Sequence, residues 1–381
     1  MIETDAISPS KPRGWDVGQG MNTSDAASPA FIGQRDERMT TNRIRWLLSA
    51  ALLATLALGV WMRASLAGAW SMGFDFAHLR HAHSHLGAYG VLFPLAFLAW
   101  RSRGAPVPGR RTLVAYGAAT ALAVLGFLRA GYGPEAIIGS TVVGAIWLSS
   151  AFQLRRLMRR LDEPLALVPP GIVAAMVCVP FIAMTLRKDP AFAQHLVATF
   201  LGTLLLVVVT PSALSAIGAR AFPSPLLTLA GLSGALALGV WPNVITRAGL
   251  AGYGLWLATV ALQRSVAWPL RAAWGLVGLG LMAMAAGLVP NVRPSVIGAL
   301  HFLVLGPVLL SLLPMLWPSQ PRALEVFLLA AAGLVSAPLV AQALGLFEWT
   351  MQASAVGGAL VFLGWLGVLF RRRRVAPGAV V

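Results

Sequence analysis

Histidine is the side chain with the clearest chemical potential in this sequence. Of the six histidines, four fall within eight residues and two stand apart: His78, His81, His83 and His85 form the cluster, and His195 and His301 are isolated. Neutral imidazole is a common ligand for transition metals and also titrates near neutral pH. The histidines are therefore the first candidates for a cofactor site.

Helical spacing divides the cluster into two faces. His81 and His85 are one turn apart, whereas His83 lies about 160° from His81 around the helix axis. The His81 and His85 face, with His195 as a further candidate ligand, suits copper or zinc. The alternative is that histidines at span ends simply contact interfacial water, an alternative that weighs most for His78 and His195.

The His83 face continues through two residues without bulky side chains, Gly87 and Gly90. A flat macrocycle could lie on this strip. With His301 or His195 opposite, His83 would supply an axial nitrogen to haem iron. We therefore expect haem to be held by His83 together with His301 or His195, beside Gly87 and Gly90.

The elements that must position these residues are membrane-spanning helices. Hydrophobic residues make up 57% of the chain and charged residues 11%, which is outside the range of soluble domains. Apolar blocks of roughly 20 residues match the length that crosses a bilayer. The sequence predicts an all-α bundle of about twelve spans, at residues 44–63, 79–100, 112–130, 134–154, 166–186, 192–215, 225–242, 246–262, 268–289, 295–317, 323–346 and 352–370.

The histidines fall on the second, sixth and tenth predicted spans, which are four helices apart. A pseudo-threefold repeat of four helices is the simplest explanation. Even-numbered spans share one direction, so the histidines would lie at similar depth in the outer half of the membrane. Ionisable side chains at such depth are costly and usually face the bundle interior.

The basic residues indicate the orientation of the chain. With the N-terminus in the cytoplasm, 22 of the 29 basic residues fall on inner segments and 7 on outer segments. This asymmetry predicts that both termini are cytoplasmic. It also explains the net charge of +16 by contacts with anionic lipid, so the expected partner is the lipid bilayer and not nucleic acid.

Three regions follow from this organisation. Residues 1–43 are polar and lack apolar periodicity, which predicts a disordered cytoplasmic tail. Residues 44–371 form the transmembrane domain, and residues 372–381 form a basic cytoplasmic tail. The single cysteine, Cys178, excludes an internal disulfide.

Several short motifs resemble known membrane haem proteins. Arg80 and His83 look like the Arg-x-x-His of nitric-oxide-reductase-type members of the heme-copper oxidase subunit I superfamily. His301 with Phe302 looks like the first half of that superfamily's His-Phe-His, where Leu303 replaces the second histidine. The segment HAHSHLGAYG is similar to the NnrS family. The resemblance implies b-type haem, with copper or zinc also possible, a twelve-helix fold and a bacterial inner membrane location.

The departures from these families narrow the expected chemistry. Residues 225–242 contain no histidine, and no tyrosine lies on the sixth or seventh predicted span, so reduction of oxygen to water is not expected. The leading hypothesis is a haem protein that binds or turns over a small gas or exchanges electrons with a redox partner, with Arg80 pairing with a haem propionate. A transporter and a carrier of copper or zinc remain the alternatives, and catalysis stays open.

Overall fold

The computed structural model describes residues 29–69, 73, 75–105, 108–158, 164–186, 188–219, 225–317, 321–346 and 349–371, with side chains from Arg45 onward. The chain divides between Ile44 and Arg45, and the compact helical unit starts at Arg45. The first helix begins at Pro29, upstream of the predicted start at residue 44. The disordered tail predicted for residues 1–43 stays a prediction over residues 1–28, as does the basic tail at 372–381, because both lie outside the described ranges, whereas residues 29–43 belong to the first helix.

In the described part of the chain, twelve helical segments follow the twelve predicted blocks. We label them α1 to α12. Nine are single helices: α1 (Pro29–Leu66), α3 (Arg110–Ala130), α4 (Pro134–Met158), α5 (Val168–Thr185), α7 (Pro225–Leu238), α8 (Val244–Val260), α9 (Trp268–Ala285), α11 (Arg322–Ala343) and α12 (Thr350–Arg371). Three contain a π-helical stretch between two α-helical parts: α2 (Phe76–His85, Leu86–Leu92, Phe93–Ser102), α6 (Pro190–Thr203, Leu204–Val209, Thr210–Ala216) and α10 (Arg293–Leu303, Val304–Val308, Leu309–Leu316).

Eight of these segments are long and apolar enough to cross a bilayer: α1, α3, α4, α5, α6, α10, α11 and α12. The helices α7 and α8 are apolar but shorter, at 14 and 17 residues. All the regular structure in the described residues is helical. The prediction of an all-α polytopic membrane protein is therefore confirmed.

The helices that carry His195 and His301, α6 and α10, are the most buried of the eight helices of membrane-spanning length. In the most apolar part of each helix, 72% of the residues of α6 and 59% of those of α10 are buried, whereas the share is 33–44% in the other six helices. The C-terminal part of α2 contacts the C-terminal parts of both α6 and α10. Trp100 at the end of α2 donates from Nε1 to Oγ of Ser212 on α6, at 2.8 Å. The three helices thus meet at their C-terminal ends.

A proline lies within or close to each of the irregular stretches of these three helices. Pro94 and Pro211 follow the π-helical stretches of α2 and α6, and Pro307 lies within that of α10. Proline has no N–H for the carbonyl one turn earlier, and its ring crowds that carbonyl. A local widening of the helix relieves this conflict.

Candidate metal site

The start of α2 sets the depth of the histidine cluster. The Asp75 carboxylate accepts hydrogen bonds from the backbone N–H groups of Ala77 and His78, at 2.8 and 3.0 Å. These hydrogen bonds lower the pKa of Asp75 from its ordinary value, and the bond from His78 has the larger effect. A charged N-cap also complements the helix dipole. The helix therefore begins at Phe76, and the other histidines of the cluster follow in its second and third turns.

His83 and His301 are brought together across the contact between α2 and α10. Their ring centroids are 6.4 Å apart, and the two ring planes differ by only 9°. The Nδ1 atom of His83 lies 2.9 Å from the carbonyl oxygen of Thr55 on α1. The Nδ1 atom of His301 lies 2.8 Å from the carbonyl oxygen of Ile297, one turn earlier on α10. Both side chains are half-buried.

These hydrogen bonds determine the tautomer of both rings. A carbonyl oxygen can only accept, so Nδ1 must carry the hydrogen and donate it. In the neutral ring Nε2 then keeps its lone pair, which is the form that ligates a metal. Two imidazoles that bind one metal from opposite sides, at about 2 Å per metal–nitrogen bond, hold their ring centroids about 6 Å apart. The observed separation of 6.4 Å fits this arrangement.

The glycine strip of α2 faces the first helix. A Cβ atom added at Gly87 would lie 3.3 Å from Cγ2 of Thr55 on α1. One added at Gly90 would lie 3.4 Å from Cβ of Ala51 and 2.9 Å from Cδ1 of Leu86. The absence of side chains therefore allows α1 to approach α2 closely. A macrocycle on this strip would have to displace α1.

The opposite face of α2 packs against the end of α3. The His85 ring stacks on Phe127, with centroids 3.9 Å apart, and His81 makes an edge contact with Tyr132 at 4.7 Å. The two imidazole centroids are 6.4 Å apart with planes tilted by 60°, and His85 Nδ1 lies 2.8 Å from the His81 carbonyl oxygen. The two faces of the cluster are thus separated as helical spacing requires.

His195 and Arg80 are the remaining candidate residues, on α6 and α2. The His195 side chain is exposed, and its carbonyl accepts from the Thr199 hydroxyl at 3.2 Å. Arg80 is half-buried on α2, three residues before His83 and therefore on the same side of the helix. Across the described residues, no three His, Cys, Asp or Glu side chains are grouped to hold a metal ion. A copper or zinc site formed by His81, His85 and His195 stays a prediction.

One residue of the site was not predicted. Arg63 on α1 donates from Nε to Oγ of Ser354 on α12 at 2.9 Å, and from Nη1 to the carbonyl oxygen of Gly59 at 3.2 Å. A Cβ atom at Gly59 would lie 3.0 Å from Cε1 of His83 and 3.2 Å from Nη1 of Arg63. Gly59 thus provides space for both side chains. The sequence does contain a sign of this residue's role, because Arg63 is a charged residue inside the apolar segment Arg45–Leu66.

A comparison with protein-family models, curated proteins and solved structures finds no match to this chain. The likeness to heme-copper oxidases and to NnrS therefore remains one of short motifs. A cavity of about 330 Å³ between α3 and α4 contains none of the candidate site residues.

Proposed function

We propose that this protein is a membrane metalloprotein in which His83 and His301 would hold one metal between them. The motif resemblance makes the iron of a b-type haem the leading candidate for that metal, and its macrocycle would have to lie off the Gly87 and Gly90 strip, which α1 covers. The observation that carries the proposal is the pair of nearly parallel rings 6.4 Å apart, each with Nδ1 at a backbone carbonyl. Imidazole is a common axial ligand of haem iron, and a hydrogen bond at Nδ1 increases its basicity.

Ligation by both histidines favours electron transfer over turnover of a small gas. Turnover of a gas needs an open position on the metal, and a haem held by both His83 and His301 would not offer one. Such a haem supplies one-electron redox chemistry. The residues of this chain would hold the ligand rings in one tautomer and orientation, through Thr55 and Ile297. The partner would be another redox protein or carrier.

The second candidate is a carrier of copper or zinc that uses His81 and His85. The observation in its favour is that His85 Nδ1 donates to the His81 carbonyl, which leaves its Nε2 free. Stacking of His85 on Phe127 and the lack of a third grouped ligand in the described chain weigh against it. A transporter without metal is the remaining alternative.

We also propose twelve crossings in a pseudo-threefold repeat, with both termini in the cytoplasm of a bacterial cell and the chain in its inner membrane. A π-helical stretch with a nearby proline recurs in α2, α6 and α10, four helices apart. Each of the helices α4, α8 and α12 also packs a large buried aromatic side chain against one of these three helices. Trp147 of α4 stacks on Phe93 of α2, and the Tyr253 hydroxyl of α8 donates to the Leu206 carbonyl of α6. Trp365 of α12 lies against Trp317, the residue that follows α10. This recurrence supports a repeat.

The test of the metal proposal is optical and analytical. Detergent-solubilised protein should contain about one iron per chain, with reduced-minus-oxidised bands typical of b-type haem. His83→Ala and His301→Ala should each abolish or strongly weaken these bands, whereas the His78→Ala control should retain them. A colourless protein without iron would refute the haem proposal. Copper or zinc that is lost in His85→Ala would instead support the metal carrier.

A further inference from the structure

The guanidinium of Arg63 is a positive charge without a negative partner in the described residues. Arg63 lies three residues before the end of α1, within an apolar membrane segment. Its hydrogen bonds go to a neutral hydroxyl and a neutral carbonyl, on Ser354 and Gly59. Among the described residues, Glu135 has a carboxylate at ion-pair distance from an arginine, and that arginine is Arg129 on α3, not Arg63.

The side chain of Arg63 points into the bilayer segment and not out of it. An arginine near the end of a span usually extends toward the headgroups. Here Nη1 reaches the carbonyl of Gly59, which is one turn farther from the end of the helix. The guanidinium is therefore held beside His83, which shares the space above Gly59. The Ser354 hydroxyl accepts the hydrogen bond from Arg63 Nε and itself donates to the Val335 carbonyl oxygen at 2.7 Å, which fixes its position.

Among the residues that the structure describes, no carboxylate lies at ion-pair distance from Arg63. His83 and His301 are the nearest candidate ligands, and neither supplies a negative charge, because each ring donates from Nδ1 to a carbonyl and is neutral or positive. A charge in a membrane segment is stabilised when it pairs with an opposite charge. The planar fork of guanidinium is suited to the two oxygens of a carboxylate or a similar oxyanion.

We propose that Arg63 binds an oxyanion held beside His83 and His301 between α1, α2, α10 and α12. The location of this ligand rests on the proposed His83 and His301 site. The oxyanion has two possible sources with the same chemistry. It is either a carboxylate of the bound cofactor or a free small anion, such as a carboxylate or an inorganic oxyanion.

The experiment compares Arg63→Gln and Arg63→Lys with wild type and with Arg247→Gln, which removes an exposed arginine on α8. In the first arm, the rate of cofactor loss from the coloured protein is measured. In the second arm, the heat-unfolding midpoint is measured against sodium nitrite and sodium acetate, with sodium chloride keeping ionic strength constant. A ligand that binds the folded protein raises its midpoint saturably.

Cofactor loss that is about tenfold faster in Arg63→Gln, with no midpoint shift by either anion, assigns the oxyanion to the cofactor. A saturable shift that disappears in Arg63→Gln and persists in Arg247→Gln assigns it to a free anion. Arg63→Lys should keep part of either effect, and it serves as the readout if Arg63→Gln does not fold. If the Arg63 variants match Arg247→Gln in both arms, the inference is wrong. The anion arm needs no iron, so a colourless wild type would refute the haem proposal without deciding this one.

Discussion

At the scale of single residues, Gly59 controls the position of both His83 and Arg63. A side chain there would approach Cε1 of His83 to 3.0 Å and Nη1 of Arg63 to 3.2 Å. We expect Gly59→Val to displace the His83 ring and to weaken metal retention by about 10- to 100-fold, the usual range for residues that orient a ligand. Gly59→Ala should have a smaller effect of the same sign.

The control for this prediction is Gly117→Val on α3, where an added Cβ meets nothing within 4 Å. Metal content per chain, measured by elemental analysis after dialysis against a chelator, separates the two variants. Equal metal retention in Gly59→Val and Gly117→Val would show that the site does not depend on this contact.

Sequence reasoning predicted part of this site for identifiable reasons. The period of the helix separates His83 from His81 and His85, so two faces could be assigned. The pairing of His83 with His301 was one of two alternatives, because spacing alone does not say which helices touch. Arg63 was missed, since a charge at the end of an apolar block is ordinarily a loop residue. The glycine strip was identified, but sequence cannot distinguish a helix contact from a cofactor surface.

At the scale of the elements, the π-helical stretches leave carbonyl groups that need donors. The Tyr116 hydroxyl of α3 donates to the Tyr89 carbonyl in α2 at 2.7 Å, and Trp147 donates to that hydroxyl at 3.3 Å. The Tyr253 hydroxyl of α8 donates to the Leu206 carbonyl in α6. In each case a buried tyrosine from a neighbouring helix supplies the donor that the widened turn lacks.

We predict that Tyr116→Phe and Tyr253→Phe each lower the heat-unfolding midpoint, because each leaves a buried carbonyl unpaired at a cost of about 1–3 kcal/mol. Tyr116→Phe should cost more, since Trp147 also loses its acceptor. Tyr132→Phe, which alters a surface tyrosine that is 37% exposed, is the control. Midpoints of both variants equal to that of the control would contradict this account of the stretches.

The sequence indicates where these three helices are disturbed, but not which form the disturbance takes. Pro94, Pro211 and Pro307 can be read directly, and each disturbs the helix that contains it. Whether the disturbance becomes a kink or a π-helical stretch depends on a donor from another helix, such as the Tyr253 hydroxyl. Such tertiary contacts cannot be inferred from one helix alone.

At the scale of the whole molecule, the membrane fold follows from hydropathy. Apolar blocks predicted the twelve helical segments of the described chain to within a few residues at most ends, because unsatisfied backbone groups are not tolerated in lipid. The greater burial of α6 and α10 was not predicted. Blocks with similar hydropathy are 72% buried in α6 and 33% in α12, and this difference is set by packing.

The charge asymmetry leads to a prediction on topology. A reporter active only in the cytoplasm, fused after Val381, should be active, and a reporter active only in the periplasm should be silent there. The reason is that 22 of the 29 basic residues fall on one set of segments, which is retained on the cytoplasmic side. The opposite result would reverse the assigned depth of the histidines.

The central claim is that His83 and His301 bind one metal together, and electron paramagnetic resonance of the oxidised protein tests it most directly. Two axial imidazoles with planes only 9° apart should give the rhombic low-spin ferric signal of parallel rings. His83→Ala and His301→Ala should each remove that signal, and His78→Ala should keep it. A high-spin signal in wild type, or a low-spin signal that survives both substitutions, would contradict the claim.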